Sequence, residues 1–115
     1  MGATALVGSA GKGGKAVHAR VSILEGPPDK IDEGLRYFRE EVQPAWQTDP
    51  GFKGAIALND RQSGKTLAIT FWEREEDMRA MEEDANRVRS RVAETTGQEI
   101  AGVERYEVGL FEVEG

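Results

Sequence analysis

Four stretches with the period of a strand and two with the period of a helix follow one another in the order β-α-β-β-α-β, and two helices cover only one face of a four-stranded sheet. The other face must meet water or a second chain. Val17, Ala19, Val21 and Ile23 alternate with His18, Arg20, Ser22 and Leu24, which is strand period. Gly26-Pro27-Pro28 ends that strand, and Asp29 is the expected N-cap of the first helix. Ile31, Leu35, Phe38 and Val42 then form one apolar helical stripe. Pro44 has no N–H to donate, so the helix is expected to kink or end near Val42, leaving Trp46 on an irregular last turn. Asp49-Pro50-Gly51 reads as a turn with Gly51 at a position of positive φ.

A second strand opens at Phe52 and centres on Ala55-Ile56-Ala57-Leu58, and the polar run from Asn59 to Gly64 reads as a hairpin loop. The third strand is Lys65 to Trp72, with Leu67, Ile69 and Phe71 on one side. A second helix is expected from Glu75 to Thr95 along Met78, Met81, Ala85, Val88 and Val92, capped by Gly97. A last strand runs from Ile100 to Val113. This order is the split βαβ, or ferredoxin-like, α+β arrangement. Neither side of the third strand is plainly polar, and the fourth places Tyr106, Val108 and Leu110 on one side against Phe111 and Val113 on the other. A homodimer closing sheet face on sheet face is the simplest arrangement that buries both sides.

Composition narrows the function. The chain has 115 residues, of which 1–15 are glycine-rich and aperiodic and read as a flexible tail, leaving 16–115 as one domain. Gly8 to Lys15 resembles a phosphate-binding loop but has five residues, not four, before its Gly-Lys pair, and Ala16 follows where Ser or Thr is required. Fifteen basic against 21 acidic residues give a net charge of −6, the wrong sign for a nucleic-acid-backbone binder. With no cysteine and one histidine, neither a thiolate nor a His-rich metal site is expected, and no apolar run is long enough for a membrane span. A cytoplasmic protein with no metal, no nucleic-acid partner and no membrane partner is the expectation. Glu75, Glu76 and Asp77 at the start of the second helix and Arg87, Arg89 and Arg91 toward its end match the helix dipole. Glu75–Arg79 and Glu83–Arg87 are spaced as i,i+4 pairs, so the whole run reads as a solvated face.

Pro50-Gly51-Phe52-Lys53-Gly54, the hairpin ending Ser63-Gly64-Lys65, and Ile69-Thr70-Phe71-Trp72-Glu73 running into a helix together resemble the dimeric α+β barrel proteins of the antibiotic-biosynthesis-monooxygenase type. The resemblance covers Val17 to Val113. It implies a ligand cleft between the sheet and the helices of each protomer. It also implies oxygenation of a small aromatic or phenolic molecule without a cofactor, or, alternatively, a non-catalytic small-molecule-binding or stress-response role on the same fold. Haem-degrading members of that superfamily resemble this chain at Trp72 but carry an iron-ligating His on the second helix, which here offers Glu, Asp, Asn and Arg from Met81 to Arg91. Candidate catalytic residues are His18, the one imidazole in the chain and a residue type suited to proton transfer, Arg20 as a clamp on an anionic oxygen, and Trp72. A carboxylate such as Glu107 is the expected partner of Arg20. The candidate pocket is Trp72, Thr70, Asn59, Trp46 and Phe38, with Tyr37 beside it; Ala55, Ala57, Ala68 and Gly109 are small enough to leave space or to allow close packing.

Overall fold

A computed structural model describes residues 17–112; the glycine-rich head and Val113 lie outside them. The strands are β1 (His18–Glu25), β2 (Phe52–Asp60), β3 (Lys65–Trp72) and β4 (Glu99–Glu107), and they form one antiparallel sheet in the order β2-β3-β1-β4. The helical segments α1 (Ile31–Tyr37), α2 (Gln43–Trp46), α3 (Glu75–Ala80) and α4 (Glu82–Thr96) cover one face of it. This is the ferredoxin-like α+β architecture read from the sequence.

Several local expectations need correction. Pro44 does not end the first helix. A π-helical turn, Phe38–Val42, widens the coil so that the Gln43 N–H reaches the Phe38 carbonyl, and Pro44 then falls in the first turn of α2. Trp46 is therefore a regular helical residue, and a buried one. Asp29 is no N-cap; it sits in a 3-10 turn, Pro28–Lys30, that leads directly into α1. The second helix breaks at Met81 (φ −104°, ψ 15°), and Glu82 starts a new one. Gly97 closes it in the left-handed region, with its N–H on the Ala93 carbonyl. Gly51 does not have a positive φ. Glycine is required there because a Cβ would come within 2.4 Å of Asp77 Cγ. Asn59 belongs to β2 and not to the loop, and the last strand stops at Glu107.

Strand alternation sorts the sheet residues into two sets. Toward the helices point Arg20, Ser22 and Leu24 of β1, Ala55, Ala57 and Asn59 of β2, and Thr66, Ala68, Thr70 and Trp72 of β3, matched across the ladders as Arg20–Thr70, Ser22–Ala68 and Ala57–Ala68. Away from them point Val21 and Ile23, Ile56 and Leu58, and Leu67, Ile69 and Phe71. The more uniformly apolar set is thus the one without helices. Leu58 is 50% exposed, Ile56 is exposed, and Phe71 is covered by the edge-on ring of Phe111 at 5.1 Å.

The core lies at one end of the helix side, where Val42, Trp46, Trp72, Met78 and Ala85 pack together and Phe52 joins them. The Trp46, Phe52 and Trp72 rings meet edge-on or tilted at centroid distances of 5.3–5.9 Å. Trp46 also donates its indole N–H to Asp84 at 2.9 Å, and this bond holds that carboxyl below its ordinary pKa.

Candidate functional site

Beyond this aromatic core the sheet and helices do not meet. The sheet residues there are small: Ala55, Ala57 and Ala68 contribute one methyl each, and Ser22, Thr66 and Thr70 little more. Across from them stand Ile31, Leu35 and Phe38 from the first helix and Ala85, Val88 and Val92 from α4. The result is a cavity of about 210 Å³, apolar over most of its wall. Its size suits a small ring system, and its position between the sheet and the helices of one protomer is the one implied by the resemblance.

Thr70, Asn59, Trp46 and Phe38 are all brought to this cavity, and so is Arg20. Asn59 donates its amide N–H to Thr66 Oγ1 at 2.8 Å, so two polar groups of the wall orient each other. Two of the candidate catalytic residues are placed elsewhere. Trp72 is fully buried in the core and is not part of the wall; its indole N–H donates to Thr70 Oγ1 at 3.0 Å, and its ring lies 5.5 Å from the Arg20 guanidinium. It supports two wall residues from behind. His18, half-buried at the start of β1, pairs in register with Trp72 and Glu107 and does not reach the cavity. Tyr37 packs on the core, and Gly109 lies beyond the last strand.

Arg20 is only 1% exposed, and its partner is not Glu107 but Glu82 at the start of α4, at 3.2 Å. The break at Met81 lets this pair form: it starts α4 at Glu82, close enough to β1 for Arg20 also to donate to the Met78 carbonyl. Arg105 from β4 holds the same carboxylate from outside through two N–H bonds at 2.6 and 2.8 Å. The Arg105 hydrogen bond is the main reason the Glu82 carboxyl falls from 4.5 to about 2, with the Arg20 charge adding to it against the cost of burial. Burial pushes the Arg20 guanidinium down, opposed by Glu82, yet it remains charged.

Arg89 is the wall residue that the sequence reading assigned wrongly. Placed on the solvated face, it is instead only 8% exposed, lines the cavity and donates to Ser22 Oγ at 3.3 Å. Burial lowers its pKa, and the nearby Arg20 charge lowers it further. One signal did exist: Arg89 falls on the same helical stripe as Ala85 and Val92, a cation in an apolar phase. The neighbouring expectation splits. Glu75–Arg79 pairs as spaced, whereas Arg87 reaches Asp84, not Glu83.

Fold and cavity together define the class as far as a ferredoxin-like α+β protein with a cavity between its sheet and its helices. Similar solved structures include the ActVA-Orf6 monooxygenase of Streptomyces coelicolor in complex with nanaomycin D (TM-score 0.68, 13% identity, 87% of this chain and 94% of that one). A protein of Deinococcus radiodurans assigned as an antibiotic biosynthesis monooxygenase is also similar (TM-score 0.63, 15% identity, 85% and 99%). So is a dimeric ferredoxin-like protein from an uncultured marine organism (TM-score 0.60, 6% identity, 88% and 95%). In sequence the chain is 37% identical over 110 residues to the uncharacterised proteins Rv2557 and Rv2558 of Mycobacterium tuberculosis, a match over 96% of its length. It spans about half the length of these relatives, 49% and 46%. No family model matches the chain.

Proposed function

We propose that this chain is a cofactor-independent monooxygenase of the antibiotic-biosynthesis type, acting on a small aromatic or phenolic molecule held in the cavity between sheet and helices. The observation that carries the reading is the cavity itself: a space of about 210 Å³ with Phe38 and Trp46 on the helix side and small side chains on the sheet side. It occurs in a fold shared with the ActVA-Orf6 monooxygenase solved in complex with nanaomycin D. In such a reaction a phenol becomes a quinone: one atom of dioxygen enters the ring, and the other leaves as water with the ring-borne and hydroxyl hydrogens. The substrate supplies the electrons, and the protein supplies a dry, oriented site. A phenol that binds ionised needs no base from the wall, and guanidinium groups nearby favour the ionised form. Assembly completes the proposal: the apolar outer set of Ile56, Leu58, Leu67 and Ile69 is closed by the same face of a second copy.

One observation favours a second reading, a non-catalytic binding protein. The titratable residues of the wall are arginines, and none of them accepts a proton near neutral pH. Oxygen consumption across a panel of dihydroxy-aromatic compounds separates the two. The first reading predicts uptake with at least one compound, reduced about tenfold or more in Thr70→Val and Asn59→Ala variants that fold normally. Binding without uptake across the panel leaves the second reading standing. Trp72→Ala is a poor probe here, because it removes core and not wall.

A further inference from the structure

The chain as a whole is acidic, with six more carboxylates than basic side chains, but its cavity is not. The wall carries Arg20, Arg39 and Arg89 and, among the described residues that line it, no carboxylate. Two of these cations are more than nine-tenths buried. Each also keeps one buried N–H without an acceptor, Nη1 of Arg20 and Nε of Arg89. Burying a guanidinium is costly unless it is paired and hydrogen-bonded. Glu82 is the acid that meets Arg20, and Arg105 takes both oxygens of that same carboxylate. Among the described residues, Arg89 has only the neutral Ser22 hydroxyl as its side-chain partner. The Arg20–Arg89–Arg105 group therefore faces a single carboxylate, and the surplus positive charge lies at the cavity. Arg39, exposed on the π-helical turn, adds a third cation to the wall.

We infer that the cavity selects an aromatic ligand bearing an anionic oxygen, a carboxylate or a phenolate, seated against Arg89 and Arg20. This rests on the reading of the cavity as an aromatic-ligand site and narrows it to anions. The apolar residues take the ring and supply little selectivity. Charge discriminates between ligands of the same shape, because a neutral one leaves buried guanidinium N–H groups unanswered. Arg39 at the exposed end of the wall favours the approach of anions.

Calorimetric or fluorescence titration of the full chain with naphthoate and with its neutral counterpart, naphthalenemethanol, tests this. Naphthoate is expected to bind at least about tenfold more tightly, and the preference to shrink to about threefold or less in Arg89→Gln while the alcohol's affinity holds. Arg89→Lys is expected to restore most of the preference. Should Arg89→Gln fail the circular dichroism check for folding, Arg39→Gln, at an exposed position, is expected to lower the preference about two- to threefold. Titrating para-nitrophenol on either side of its own pKa identifies the oxygen: binding that tightens on ionisation admits phenolates, and a preference confined to naphthoate assigns carboxylates. Equal binding of naphthoate and the alcohol overturns the charge inference and leaves the aromatic site intact. Failure of all the aromatic ligands to bind overturns the aromatic reading, and this inference with it. A preference that survives both Arg89→Gln and Arg39→Gln also overturns it.

Discussion

The two faces of the sheet are made from the same four strands, residue by residue in alternation, yet they are built for opposite purposes. Across β1, β2 and β3 the outer face is apolar, with Val21, Ile23, Ile56, Leu58, Leu67 and Ile69 forming a continuous surface with no helix over it, while β4 adds Glu104 and Tyr106 along one edge. The inner face, under the helices, holds Arg20, Ser22, Asn59, Thr66 and Thr70 among alanines. A sheet whose only role was to stabilise one subunit would have these assignments reversed, with branched apolar residues under the helices and polar ones in water. Packing within the subunit is concentrated in the aromatic cluster of Trp46, Phe52 and Trp72, and the outer set is the surface given to the proposed second copy. The space between sheet and helices is left for something else.

Leu58→Asp places a carboxylate in the middle of the apolar surface, twice in a symmetric dimer. Because Leu58 is already half exposed in the subunit, its own folding changes little, by about 0.5 kcal/mol or less. Self-association is expected to weaken about 100-fold or more, since an unpaired charge is buried on closure. Sedimentation velocity over a concentration series checks this. A variant that associates like the parent means that the outer face is not where copies meet.

The comparison is sharpened from inside by pH. Glu82 has a carboxyl held near 2, against 4.5 ordinarily, so the folded state binds its proton less readily than the unfolded chain does. The stability it contributes is whole above about 4.5 and is lost as pH falls toward 2. Glu82→Gln is expected to cost about 2 kcal/mol at neutral pH, because buried Arg20 loses its counter-charge, and to flatten the loss across that acid window. Denaturant unfolding at several pH values gives both numbers. An unchanged acid limb in the variant shifts the role to another carboxylate.

The order of strands and helices was legible because it rests on period, and the shortfall of two helices over four strands is what leads to the proposed second copy. What period does not give is phase relative to the core. In β1 and β3 both series look at least partly buried from the sequence, and only the structure shows that Arg20, Ser22, Ala68 and Thr70 are the ones under the helices. Phe38, Trp46, Asn59, Thr70 and Arg20, named as candidates for their chemistry and their place along the chain, line the cavity. Arg89 was missed because the dipole and the i,i+4 spacing explained its neighbours well enough to absorb it. His18 was singled out by chemical type and Trp72 with the help of the resemblance; the structure places the first at a strand start and the second in the core behind Thr70. The π-helical turn was invisible beyond Pro44, since the sequence marks where a helix is disturbed but not how the chain absorbs it.

The central claim is that ligand binds between the sheet and the helices and not on the sheet's apolar outer side. Methyl-resolved NMR of the protein labelled at Ala, Ile and Leu, titrated with naphthoate, tests it on both faces at once. The methyls of Ala57, Ala68 and Ala85, all in the cavity wall, are expected to shift strongly, while those of Leu58, Leu67 and Ile69 stay within the noise. Shifts at Leu58, Leu67 and Ile69 with the three alanines unmoved would contradict it.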